Sequence, residues 1–175
     1  MHIAPHPLRR FRRNTLGASA VEFALVLPVF LALVLSTFEA GWLMVQSIMI
    51  DHALDKTIRD LRIGLIADTS MQNVRKIVCS KARVLIRCER SLALEFIPIT
   101  SAADYPTDNA RCIDRTSEIE PVLRFNPGAR MQTVYVRACF VVNPITPFLG
   151  AGMSLPVDQR GEHRLIATSA FANEP

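Results

Sequence analysis

The stretch Gly17–Ser36 constrains this 175-residue chain more than any other. It is apolar apart from small hydroxyls and one carboxylate, Glu22, and it follows Arg9, Arg10, Arg12 and Arg13. As a helix it is about 30 Å long, the thickness of a bilayer's hydrocarbon core. A carboxylate in hydrocarbon costs at least ~2.5 kcal/mol unless it is paired or neutralised. The run is longer than the core of an ordinary signal peptide, and Phe38, Glu39 and Trp42 crowd the only region where a small-x-small cleavage site would fall. A retained membrane anchor is the expectation. The four arginines account for the whole net charge of +4, because no acid lies among residues 1–17. They read as an orientation signal that holds the N-terminus in the cytoplasm, not as a nucleic-acid patch.

Glu22 stands five residues after Gly17, the last residue before the apolar run. That spacing suggests a cut between Gly17 and Ala18. The new Ala18 ammonium would then compensate the Glu22 carboxylate of a neighbouring copy. A basic leader, a glycine, four residues, Glu22-Phe23 and an apolar helix together resemble the prepilin-peptidase site of type IV pilin-like proteins. The continuation Ala20-Val21-Glu22-Phe23-Ala24-Leu25-Val26-Leu27-Pro28 is similar, more narrowly, to the TadE-like pseudopilins of tight-adherence (Flp) pilus systems. Phe125-Asn126-Pro127-Gly128 and the ending Ala167-Thr168-Ser169-Ala170-Phe171-Ala172-Asn173-Glu174-Pro175 agree with that family.

The resemblance implies processing at Gly17 and Ala18, assembly through Glu22 and Phe23, and a minor-subunit role in initiating or tipping a pilus. The implied partners are a prepilin peptidase, other Tad pseudopilins, the Flp pilin, an inner-membrane assembly platform and the lipid bilayer, with no nucleic acid and no cofactor. The implied location is the bacterial inner membrane, crossed once, with the C-terminal domain in the periplasm. The rival reading is a signal-anchored periplasmic disulfide-bonded binding domain unrelated to pili. The two differ in the mature N-terminus, which begins at Ala18 only for the pseudopilin.

Residues 1–17 read as a cleaved leader, 18–65 as one long helix that is transmembrane in its first half, and 66–175 as an extracytoplasmic α/β domain. The expected fold is α+β: a type IV pilin-like long N-terminal helix packed on a small antiparallel sheet with a second helix. Pro28 is expected to kink the long helix rather than end it. Beyond the membrane the periodicity picks out Phe38, Trp42, Val45 and Met49, then Leu54, Ile58, Leu61 and Leu65, as one apolar stripe shifted once near Asp51. Trp42 fits either the outer membrane–water boundary or a packed core.

A second helix, capped by Thr69 or Ser70, carries Val74, Ile77, Val78, Ala82, Leu85 and Ile86 on one face and Arg75, Lys76, Lys81 and Arg83 on the other. Leu92, Leu94 and Phe96 alternate as a strand closed by Pro98. The polar region 99–120, with Asp108-Asn109, reads as a surface excursion tied down by Cys112. Phe125–Gly128 is a turn leading into the clearest strand, Thr133–Asn143. There Val134, Val136, Ala138, Phe140 and Val142 share one face, and Tyr135, Arg137, Cys139 and Val141 the other. The proline-bounded loop Asn143–Gly150 is apolar and either meets a partner or caps the core. A last strand covers about His163 to Phe171.

Four cysteines, all after the apolar run, read as two disulfides in an oxidising compartment, expected as Cys79–Cys88 and Cys112–Cys139. The first pair requires the second helix to stop near Leu85 or Ile86, since a continuous helix would hold those Cα atoms about 13 Å apart. Without a Cys-x-x-Cys pair, zinc is not expected. No Walker loop or Gly-x-Ser-x-Gly is present, and Gly150-Ala151-Gly152 lacks the third glycine of a dinucleotide fingerprint. Asp51, His52 and Asp55 read as a polar helix face, not as metal ligands. No catalytic residue is expected.

Overall fold

The computed structural model describes residues 17–107, 112–113, 123–146, 154–157 and 161–173. The leader, Asp108-Asn109, most of 110–122, Phe148-Leu149, Gly150-Ala151-Gly152 and Glu174-Pro175 lie outside the described residues.

One helix, α1, runs from Ala18 to Arg62 and continues through Pro28. It stops three residues short of Leu65 for a local reason. Gly64 adopts φ 71°, and the amides of Gly64 and Leu65 donate to the carbonyls of Leu61 and Asp60 at 3.1 and 2.9 Å. Those two bonds satisfy carbonyls that the helix end would otherwise leave open, and glycine reaches the left-handed conformation without steric cost.

Ser70 caps α2 (Met71–Lys81) by accepting from the Asn73 amide, and Val74 and Val78 are buried. The helix ends at Lys81, earlier than the expected Leu85 or Ile86. Ala82 leaves helical geometry at φ −98°, ψ 58°, and Arg87 turns the chain back through φ 54°. Ile86 therefore stands 75 % exposed rather than on the packed face. A one-turn helix, α3 (Cys88–Ser91), follows and leads into the sheet.

Three antiparallel strands, β1 (Leu92–Ile99), β2 (Thr133–Val142) and β3 (His163–Ala172), are ordered β1-β2-β3. The register sets Leu92 opposite Phe140 and Val142 opposite His163. Pro98 does not close β1. The outer edge of β1 is taken by the segment before Gly128: the Phe96 amide donates to the Arg124 carbonyl at 2.8 Å, and the Asn126 amide to Phe96 at 3.0 Å. Amides two residues apart in a strand face the same way, so the missing N–H of Pro98 falls on that outer side and costs no bond to β2.

The helices cover one face of the sheet, with α1 along β3 and α2 on β1. Leu54, Ile50, Val74, Val78, Leu94, Phe96, Val136 and Phe140 make up the centre of this core. Each fully buried large side chain contributes ~1.5–3 kcal/mol by leaving water. The other face is also partly covered, since Ala93, Ile113 and Cys139 form a smaller cluster with Cys112 and Leu123. Cys112 and Ile113 thus form a lid on this face of the sheet, at the expected tie-down of the excursion.

Candidate membrane and assembly helix

The two parts of α1 live in different surroundings. From Ala18 to Phe38 no side chain is buried; Phe23 is 63 % and Leu25 72 % exposed, although this is the most apolar part of the chain. The helix is long and apolar enough to cross a membrane. Two of the three hydroxyls in this segment are satisfied locally: Ser36 Oγ donates to the Ala32 carbonyl at 2.6 Å and Thr37 Oγ1 to Val34 at 2.7 Å. Such back-bonding lets a polar side chain sit in an apolar medium. Glu22 has no such device. It projects from the helix with no partner among the described residues. Gly17 directly precedes the first helical residue, and a Cβ added there meets nothing within 4 Å.

The first buried residue of α1 is Glu39, only 1 % exposed. Its carboxylate accepts from the amides of Ile145 and Thr146 at 2.9 and 2.8 Å, and from Thr146 Oγ1 at 3.0 Å. From there the packed stripe is Glu39, Leu43, Gln46, Ile50, Ala53, Leu54, Thr57 and Ile58. This corrects the expected stripe by one residue, about 100° around the helix, over its first half. Phe38 and Val45 are exposed, and Trp42 is half-buried. The polar members Glu39, Gln46 and Thr57 disguise the true stripe; Thr57 satisfies its hydroxyl on the Ala53 carbonyl at 2.8 Å. A recurrence at i, i+4, i+7 and i+11, read regardless of polarity, is the signal that finds it.

Residues 17–59 match the family model described as TadE-like protein. The TadE-like stretch therefore covers Gly17, Glu22, the whole bare segment and the packed stripe as far as Ile58. Neither a curated protein nor a solved structure matches the chain.

Beyond the TadE-like stretch, the turn Phe125–Gly128 and the chain's ending meet at one end of the sheet. The Phe125 and Phe171 rings flank Phe96 at centroid distances of 4.6 and 6.4 Å. Asn173 donates through Nδ2 to the Gly128 carbonyl at 3.5 Å, and its carbonyl accepts from the Met131 amide at 2.8 Å. Gly128, at φ 81°, is required there because a Cβ would come within 2.5 Å of Val134. These two segments hold the fold together and present no reactive group.

Cys79 is bonded to Cys88 and Cys112 to Cys139, with Cα separations of 5.6 and 5.2 Å. The first staples the end of α2 to α3, and the second ties the lid to β2. Asp55 accepts from Ser169 Oγ at 3.1 Å, so it fastens α1 to β3. Asp51 is exposed, and its pKa is raised by partial burial and then by repulsion from Asp55. No group of three metal-ligating side chains occurs among the described residues.

The sheet also holds a buried pair that the strand pattern does not reveal. Glu95 and Arg137 lie directly opposite each other in β1 and β2, both buried, and Arg137 Nε donates to Glu95 Oε2 at 2.8 Å. A buried pair of this kind is costly to break, because either partner alone is an uncompensated charge.

Proposed function

We propose that this protein is a membrane-anchored minor pseudopilin of a Tad (Flp) pilus system, processed after Gly17 and assembled through its N-terminal helix. The observation that carries the reading is the bare segment of α1, an apolar helix with a single carboxylate, Glu22, one turn inside it and without a partner among the described residues. Such a surface is stable only against lipid or other helices, and the carboxylate calls for a partner charge. In this reading the arginine leader stays cytoplasmic, a prepilin peptidase cuts before Ala18 on that side, and the disulfide-bonded domain faces the periplasm.

After the cut, the Ala18 ammonium has a reference pKa near ~8 and is mostly charged at neutral pH. Ala18 and Glu22 of one helix are four residues apart, about 6 Å along the axis. An ammonium within the same helix therefore competes with that of a staggered neighbour, and the reading takes the neighbour as the partner. The pair would then select the register of assembly as well as stabilise it. The role is structural, with the other Tad pseudopilins, the Flp pilin and the assembly platform as partners and no catalytic residue.

N-terminal sequencing of the membrane-extracted protein tests this directly. The expected first residue is Ala18, and Gly17→Leu should leave a slower-migrating precursor. Unchanged mobility of Gly17→Leu would remove the basis of the reading, and a Cβ at Gly17 meets nothing within 4 Å among the described residues. Glu22→Gln should insert and be processed normally yet fail to co-purify with the other pilus subunits. Normal co-assembly of Glu22→Gln would rule out the carboxylate as a register determinant.

A further inference from the structure

We propose that the corner Asn143–Thr146 is a second membrane contact, in which Ile145 enters the headgroup–acyl boundary of the bilayer that α1 crosses. The inference rests on reading Ala18–Phe38 as the membrane span. That segment is about 31 Å long at the helical rise and so matches the hydrocarbon core end to end. Glu39 is the next residue. Its carboxylate holds the Ile145 and Thr146 amides, so this corner is fixed at the level where the helix leaves the hydrocarbon.

Three features of the corner suit a lipid boundary. Ile145 is 62 % exposed although it is branched and apolar, and no charged residue lies between Asn143 and Thr146. Phe38, 72 % exposed, and half-buried Trp42 flank Glu39 on α1, adding apolar and aromatic surface at the same level. The backbone is already prepared for loss of water. Pro144 has no N–H, and the next two amides are both taken by Glu39. An exposed loop normally cannot enter an apolar medium because its amides would be left unpaired; residues 144–146 leave none unpaired. The arrangement also accounts for a fully buried carboxylate at the first packed position of the helix. The bilayer is favoured over a second copy as occupant because this surface is continuous with the span.

Site-specific tryptophan fluorescence tests the contact, since Trp42 is the chain's one tryptophan. In a Trp42→Phe background, Ile145→Trp, Phe30→Trp and Met131→Trp are reconstituted as full chains. The vesicles are phosphatidylethanolamine and phosphatidylglycerol, brominated either near the headgroup or deep in the acyl chain. Ile145→Trp is expected to emit at short wavelength and to be quenched about two-fold or more by the shallow bromines, as for a side chain buried at the interface. Phe30→Trp should respond most to the deep bromines. Met131→Trp, at the opposite end of the sheet and 83 % exposed, should respond to neither. Quenching of Phe30→Trp without quenching of Ile145→Trp overturns the contact while leaving the span intact. Short-wavelength but unquenched emission from Ile145→Trp places protein rather than lipid against it, which also overturns the proposal. An unquenched Phe30→Trp overturns the span itself and the contact with it.

Discussion

The two halves of α1 share one backbone and one period but answer to different surroundings. Ala18–Phe38 carries apolar residues all round and buries none of them, whereas Glu39–Ile58 buries a narrow stripe that includes Glu39, Gln46 and Thr57. A helix uniformly apolar around its circumference needs no particular neighbour on any side, so lipid suits it. A helix with one packed stripe must match a specific surface; there Glu39 and Thr57 have hydrogen-bond partners, while Gln46 Oε1 is buried without one among the described residues. Hydrophobicity alone therefore ranks the halves in the reverse order of their burial.

The contrast can be tested most sharply by truncating one leucine from each half. Leu54→Ala, at 1 % exposure, should cost the folded domain ~2–5 kcal/mol through lost transfer energy and a cavity. Leu25→Ala, at 72 % exposure, should leave domain unfolding unchanged. Thermal unfolding in detergent micelles, followed by near-ultraviolet circular dichroism, reads both; equal losses would erase the distinction.

The boundary itself is probed next. Glu39→Ala strips three donors of their acceptor and should cost about 3 kcal/mol, because hydrogen bonds to a charged group are strong and the amides are left unpaired. Amide hydrogen exchange should quicken at Ile145 and Thr146 while Ser169, paired with Val136 in the sheet, stays protected. Uniform loss of protection would mean that Glu39 supports the whole domain rather than one corner.

The smallest effect is expected on the solvent side of the packed half. Burial and Asp55 raise the Asp51 pKa above 3.8, so the fold disfavours its charged form. A raised folded-state pKa contributes stability below the unfolded value and loses it as pH rises through the folded value. Asp51→Asn should accordingly be stabilising at neutral pH, by roughly 0.5 kcal/mol or less because solvent screens the site. The advantage should vanish below about pH 4, where both states are protonated. A stability gain independent of pH would assign the effect to something other than charge.

Much of the fold is legible in the residues themselves. The alternation of Val134, Val136, Ala138 and Phe140 places β2 and its buried face, and Ser70 marks the start of α2. The helix ends are less legible. Nothing local requires α2 to stop at Lys81; the backbone turn at Ala82 and the left-handed Arg87 serve the return of Cys88 to Cys79. Pro98 reads as a strand terminator until the neighbour on its outer edge is known.

The candidate site divides in the same way. Gly17, Glu22 and the apolar run are local in sequence, and a membrane acts on a helix through composition and length, which any reader of the chain can measure. Glu39 and the Glu95–Arg137 pair belong to the other class. Their partners lie more than 100 and 42 residues away in sequence, at Ile145, Thr146 and Arg137. A carboxylate seen alone reads as solvent-facing because burying it unpaired is prohibitive. The sequence by itself determined the long apolar helix, the small sheet and the even cysteine count, since those follow from period, length and composition. Only the tertiary structure decided which stripe of α1 is packed and which charges are buried, because a buried charge is stable only through partners that folding brings to it.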